Sequence, residues 1–195
     1  MKKFTFLFLF FCTASAAMAQ ITRGHFLVGG NISFESIENR STDINYINYK
    51  TTNLFISPNA GYFFINKLAG GIRVDLKIFK QKAPYYGLSQ TNFSFSPFLR
   101  YYFLSAKNKL NVFADASYIH SSSRYKSPGG PSSTEKTNGY YVSAGPSVFL
   151  TSHVSLDFFI GYRHTITKDF YHTQSNIFNS GLGLQVHLGK IKHRI

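Results

Sequence analysis

Acidic and basic residues recur at alternate positions between apolar ones. Arg73, Asp75 and Lys77 stand between Ile72, Val74, Leu76 and Ile78, and Arg100 lies between Leu99 and Tyr101. Asp115 separates Ala114 from Ala116, Glu35 follows Phe34, Asp157 interrupts Val154 to Tyr162, and Arg163 follows that stretch. Four acids and four bases on one parity can neutralise each other, or they can line a narrow path for ions. An isolated charge in a poorly hydrated interior is expensive, so equal numbers favour pairing. Glu35, Arg73, Asp75, Lys77, Arg100, Asp115, Asp157 and Arg163 therefore read as an internal ion-pair network.

A second constellation is Tyr118-Ile-His120-Ser-Ser122-Ser-Arg124. A histidine two residues from a serine could serve as base and nucleophile, with Glu135 as the orienting acid. The plainer reading is a histidine beside loop serines, and no catalytic residue is assigned. His25, His153, His164, His172, His187 and His193 show no metal-ligand spacing. Gly29-Gly30, Gly70-Gly71 and Gly129-Gly130 read as strand or turn glycines rather than a phosphate loop. Neither a metal nor a cofactor is expected.

The elements that position these residues are strands, because side chains alternate across a strand with a period of two. Eight are predicted, over 24–38, 43–64, 68–80, 89–103, 109–123, 138–150, 153–166 and 175–189. Phe93, Phe95, Leu99, Tyr101 and Phe103 oppose Asn92, Ser94, Ser96 and Arg100; Leu182, Leu184, Val186 and Leu188 oppose Gly181, Gly183, Gln185 and His187. The polar parity is rich in small residues and glycine, as a crowded lumen requires.

Ahead of the strands, Lys2 and Lys3 precede the apolar run Phe4 to Phe11, and Ala17-Met18-Ala19 has the small-x-small form of a cleavage site. Residues 1–19 read as a secretory signal peptide and 20–195 as one domain. Cleavage removes Cys12, the one cysteine, and lowers the formal charge from +13 to +11. In an exported chain that charge points to anionic lipid or surface polysaccharide rather than nucleic acid.

An apolar face on every strand suits either a soluble lipocalin-like barrel, apolar side inward, or a membrane-spanning barrel, apolar side outward. Connections at 65–67, 104–108 and 151–153 are tight, and those near 39–45, 81–88, 124–137 and 167–174 are longer. Tyr62, Phe64, Tyr101 and Phe103 sit near strand ends on the apolar face. Both features favour the second arrangement, an all-β, eight-stranded, antiparallel up-and-down transmembrane barrel.

Ile56-Ser-Pro-Asn-Ala-Gly61-Tyr62-Phe63-Phe64-Ile-Asn66-Lys67-Leu68-Ala69-Gly70-Gly71 and the final Asn179-Ser-Gly181-Leu-Gly-Leu184-Gln-Val186-His-Leu188 carry a resemblance. They are similar to the small outer-membrane β-barrel proteins of Bacteroidetes-like Gram-negative bacteria. The resemblance implies export by the general secretory pathway, insertion by the barrel-assembly machinery and residence in the outer membrane, with no shared activity. A non-enzymatic, monomeric envelope protein with a plugged lumen is expected, the alternatives being a narrow pore and a lipid A-modifying hydrolase. The His-x-Ser pair faintly resembles the site of outer-membrane lipid A deacylases, but Ser123 stands where they carry asparagine. Arg40, Lys80, Lys82, Arg124, Lys126, Lys136 and Lys168 fall in or beside the longer connections, where they could contact lipopolysaccharide phosphates.

Overall fold

The computed structural model describes residues 21–39, 49–83, 87–126, 132–167 and 173–189, with the backbone alone at Ser33, Glu35 and residues 37–39. The predicted signal peptide and its cleavage site lie outside these residues. So do Arg40 and Lys168, and the Glu35 side chain with them.

Eight strands form one closed antiparallel barrel in chain order: β1 (Phe26–Asn39), β2 (Tyr49–Ile65), β3 (Leu68–Lys82), β4 (Gly87–Tyr102), β5 (Leu110–Lys126), β6 (Ser133–Phe149), β7 (Val154–Thr167) and β8 (Gln174–Leu188). Closure comes from β1 against β8, paired from Phe26↔Leu188 to Gly30↔Leu184. A closed barrel leaves no strand edge in the paired region, which satisfies the backbone where water is absent.

The apolar parity faces outward. Ile32, Phe34, Ile160 and Phe178 are each about 70–80% exposed, whereas Ser57, Asp75, Asp115 and Asp157 on the other parity are buried in the interior. Along β5 the outward residues from Leu110 to Tyr118 are apolar. Eight steps cover about 27 Å of strand, or about 21 Å of depth at the ~40° tilt of such barrels, close to their ~25 Å apolar band. Aromatic pairs mark its margins: Phe26–Tyr62 and Tyr101–Phe103 near one end, Tyr140–Tyr162 and Tyr162–Phe178 toward the other.

At the first end the turns are short. Between β2 and β3, Asn66 and Lys67 close the hairpin, Lys67 takes a left-handed φ of 69°, and the register shifts between Phe63 and Ile65. Residues 21–25 lie across this end, where the amide of Gly24 donates to Phe63 O at 2.8 Å and that of Lys67 to Ile21 O at 2.8 Å.

At the opposite end β3, β4, β5 and β6 run further than the sequence suggests, while the start of the second predicted strand, 43–48, lies outside the described residues. β5 and β6 stay paired out to Tyr125↔Ser133, which shortens the connection expected at 124–137 to residues 127–132. Lys80, Lys82, Arg124, Lys126 and Lys136 are thus strand residues and not loop residues. The ladder bonds only backbone groups, so a hairpin extends past the apolar band wherever side chains tolerate water. The length rhythm of the connections is correspondingly uneven: residues 83–86 join β3 to β4, whereas 103–109 join β4 to β5 on the short-turn side.

Candidate functional site

The lumen is built in layers, beginning at the short-turn end with an aromatic floor. Tyr102 occupies its centre, with ring centroids 6.0 Å from Phe63, 6.3 Å from Phe113, 6.4 Å from Phe149 and 5.9 Å from His187. Ile21, Leu27 and Ala69 fill the remaining space, all fully buried. These large residues occupy the parity expected to be polar. Their signal was present in runs such as Phe98-Leu99-Arg100-Tyr101-Tyr102 and Phe63-Phe64, where apolar side chains stand on both faces at once.

Above the floor, four of the expected charges form a chain across the barrel. Arg73 Nη2 donates to both oxygens of Asp115 at 3.0 and 3.1 Å. Arg100 Nε donates to Asp115 Oδ2 at 3.1 Å, and Arg100 Nη1 to Asp157 Oδ2 at 2.6 Å. The Ser147 hydroxyl donates to Asp157 Oδ1 at 2.6 Å, and the Ser57 hydroxyl donates to Asp75. Each guanidinium also lies near a ring: Arg100 is 4.3 Å from the centroid of Phe113, and Arg73 is 5.2 Å from that of Phe98. Two bases and two acids, each with several partners, replace lost hydration with directed hydrogen bonds.

The other members expected in the network lie apart from this chain. Arg163 sits over Tyr141 at 5.5 Å, and among the described residues neither it nor Lys77 makes an ion pair. Lys77 is exposed toward the long-hairpin end. Between the ion pairs and Arg163 remains a cavity of about 70 Å³, bounded by Asn59, Asp75, Tyr141, Asn179 and Gln185 among others. Nearer the long-hairpin end, beside Lys77 and Glu135 in register, amide and hydroxyl groups bond one another: Asn92 Nδ2 donates to Ser121 Oγ and Ser123 Oγ at 2.8 and 2.7 Å.

Lumen glycines make room for the rings. A Cβ at Gly161 would sit 2.2 Å from the Tyr141 hydroxyl oxygen, and one at Gly181 would sit 2.7 Å from Phe159. Each ring therefore lies flat on the wall, a side-chain-to-glycine fit that also fixes register.

On the outer face, His120 Nδ1 is 2.7 Å from Asn138 Oδ1. Ser122 shares its face, but Glu135 pairs in register with Ser123, whose side chain is turned into the barrel. The wall thus stands between Glu135 and the His120–Ser122 pair, so the three do not converge. Among the described residues no group of three or more His, Cys, Asp or Glu is placed to hold a metal ion.

Residues 4–188 match the outer membrane protein beta-barrel domain family. Similar solved structures include Neisserial surface protein A, at 23% identity over 85% of this chain and 96% of that one, with a TM-score of 0.47. The N-terminal β-barrel domain of Pseudomonas aeruginosa OprF is also similar, at 11% identity over 85% of this chain and 98% of that one, with a TM-score of 0.46. No curated protein matches the chain. By the match across nearly its whole length, the chain belongs to the outer membrane protein beta-barrel domain family.

Proposed function

We propose that this protein is a sealed, non-enzymatic barrel that serves the outer membrane as a structural and surface-presenting element. In this reading it is exported through the general secretory pathway of a Gram-negative bacterium, inserted by the barrel-assembly machinery, and acts as a monomer. The observation that carries the reading is the unbroken Arg73–Asp115–Arg100–Asp157 chain lying over an aromatic floor. An ion entering from the long-hairpin end would have to displace guanidinium–carboxylate contacts of 2.6–3.1 Å and then pass Tyr102. A conducting path needs sites that release an ion as readily as they bind it, and paired guanidinium and carboxylate groups with several hydrogen bonds each are the opposite of such a site. Against a hydrolase stands the separation of Glu135 from His120 and Ser122. A soluble ligand carrier would need its apolar face inward, whereas here it is outward.

The test is single-channel recording on the refolded barrel in planar phospholipid bilayers. The wild type is expected to give no resolved conductance steps. Reproducible steps whose size changes in Arg100→Ser or Asp115→Ser would overturn the sealed reading in favour of a narrow pore.

A further inference from the structure

On β3 to β6 the carboxylates are confined to one face, whereas cations stand on both, with Arg73, Lys77 and Arg100 inward. The carboxylates Asp75, Asp115 and Glu135 all stand on the inward parity, whereas Lys80, Lys82, Arg124, Lys126 and Lys136 all stand on the outward one. Solvated loop tips would need no such sorting. Between β4 and β6 the outer wall is indented by a groove of about 480 Å³, lined by Ser89, Thr91, Phe93, Ser122, Arg124 and Lys126. In register, Lys126 faces Ser89, Arg124 faces Thr91 and Ser122 faces Phe93, so cations and hydroxyls alternate around the groove above an aromatic base.

We propose that this groove binds the phosphate of an acylated, lipid A-type glycolipid of the outer leaflet. The inference rests on the outer-membrane reading. A guanidinium and an ammonium beside several hydroxyl donors, with no carboxylate among the described residues that line the groove, make a site for a phosphate dianion. The apolar surroundings select a lipid over a free anion. Phe93 and Phe95 are about half exposed on the same face, and about 27 Å along β5 from Arg124 the small side chains Ala114 and Ala116, with Ala144 beside them, leave an outward trough. Leu99 and Tyr101 border it on one side and Ile160 and Phe178 on the other. The trough has a volume of about 780 Å³, open to the bilayer and suited to an acyl chain.

The experiment mixes the folded barrel in dodecyl maltoside micelles with bisphosphorylated lipid A, dephosphorylated lipid A or inorganic phosphate, and reads bound mass by native mass spectrometry. The wild type should retain bisphosphorylated lipid A. Arg124→Ser with Lys126→Ser should weaken retention by about tenfold or more, the scale of one or two lost charge-assisted contacts. Dephosphorylation of the lipid should weaken it similarly. Lys107→Ser with Lys109→Ser removes the same charge at the short-turn end and should change nothing. Wild-type retention by the first double variant, equal loss in the second, or displacement of lipid A by inorganic phosphate would each overturn the proposal. A boiling-dependent mobility shift in every variant establishes that it is folded. Channel recording on the same preparations keeps failure of this site distinct from failure of the sealed-barrel reading.

Discussion

Asp157 accepts hydrogen bonds from Arg100 and Ser147 in the middle of the lumen and is 1% exposed. Replacing it by alanine leaves two guanidiniums sharing Asp115. Loss of one partner from a buried pair typically costs about 3–5 kcal/mol, because the remaining charge is stranded. Asp157→Ala should therefore lower the unfolding free energy by roughly that amount in urea titrations of the micelle-bound barrel. Arg100→Met with Asp157→Leu removes one base and one acid and leaves Arg73–Asp115 intact, so most of the stability should return. A double variant no more stable than Asp157→Ala would mean that packing, and not charge balance, governs this layer. The charged positions were legible in the sequence because period-two alternation assigns parity. Which of them touch was not legible, because contacts such as Arg100 with Asp157, 57 residues apart, depend on strand stagger around a closed barrel. Arg163 and Lys77 share the right parity and still sit at another height.

At the scale of the strands, eight segments followed from alternation, clearest on the outward faces of β4, β7 and β8, and their up-and-down order from the lengths of the connections. Their ends beyond the apolar band did not, since Ser133 to Asn138 carries no hydrophobic period although its backbone completes the ladder. Nor did the aromatic lining, whose positions depend on glycines of neighbouring strands. Gly161 is the sharpest case, since any side chain there enters the space of Tyr141. Gly161→Val should reduce the folded fraction obtained in micelles by several fold, because overpacking costs about 1–3 kcal/mol. Tyr141→Ala in the same chain should restore part of it by emptying that space. No recovery in the double variant would place the role of Gly161 in the backbone instead of in ring packing.

As a whole molecule, the barrel inverts the usual arrangement of a soluble protein. Its outside carries Ile32, Phe34, Ile160 and Phe178 nearly bare, and its inside carries ion pairs and hydroxyls behind an aromatic floor. The same closed ladder that removes strand edges should also make the folded form resistant to detergent until heated, since unzipping it exposes backbone groups all at once. The central claim, a closed barrel with its apolar face to lipid, is tested most directly by comparing unboiled with boiled samples of the outer-membrane fraction by electrophoresis. The protein is expected in that fraction, with a mobility that differs between the two samples. Recovery in the soluble fraction, with no heat-dependent shift, would contradict it.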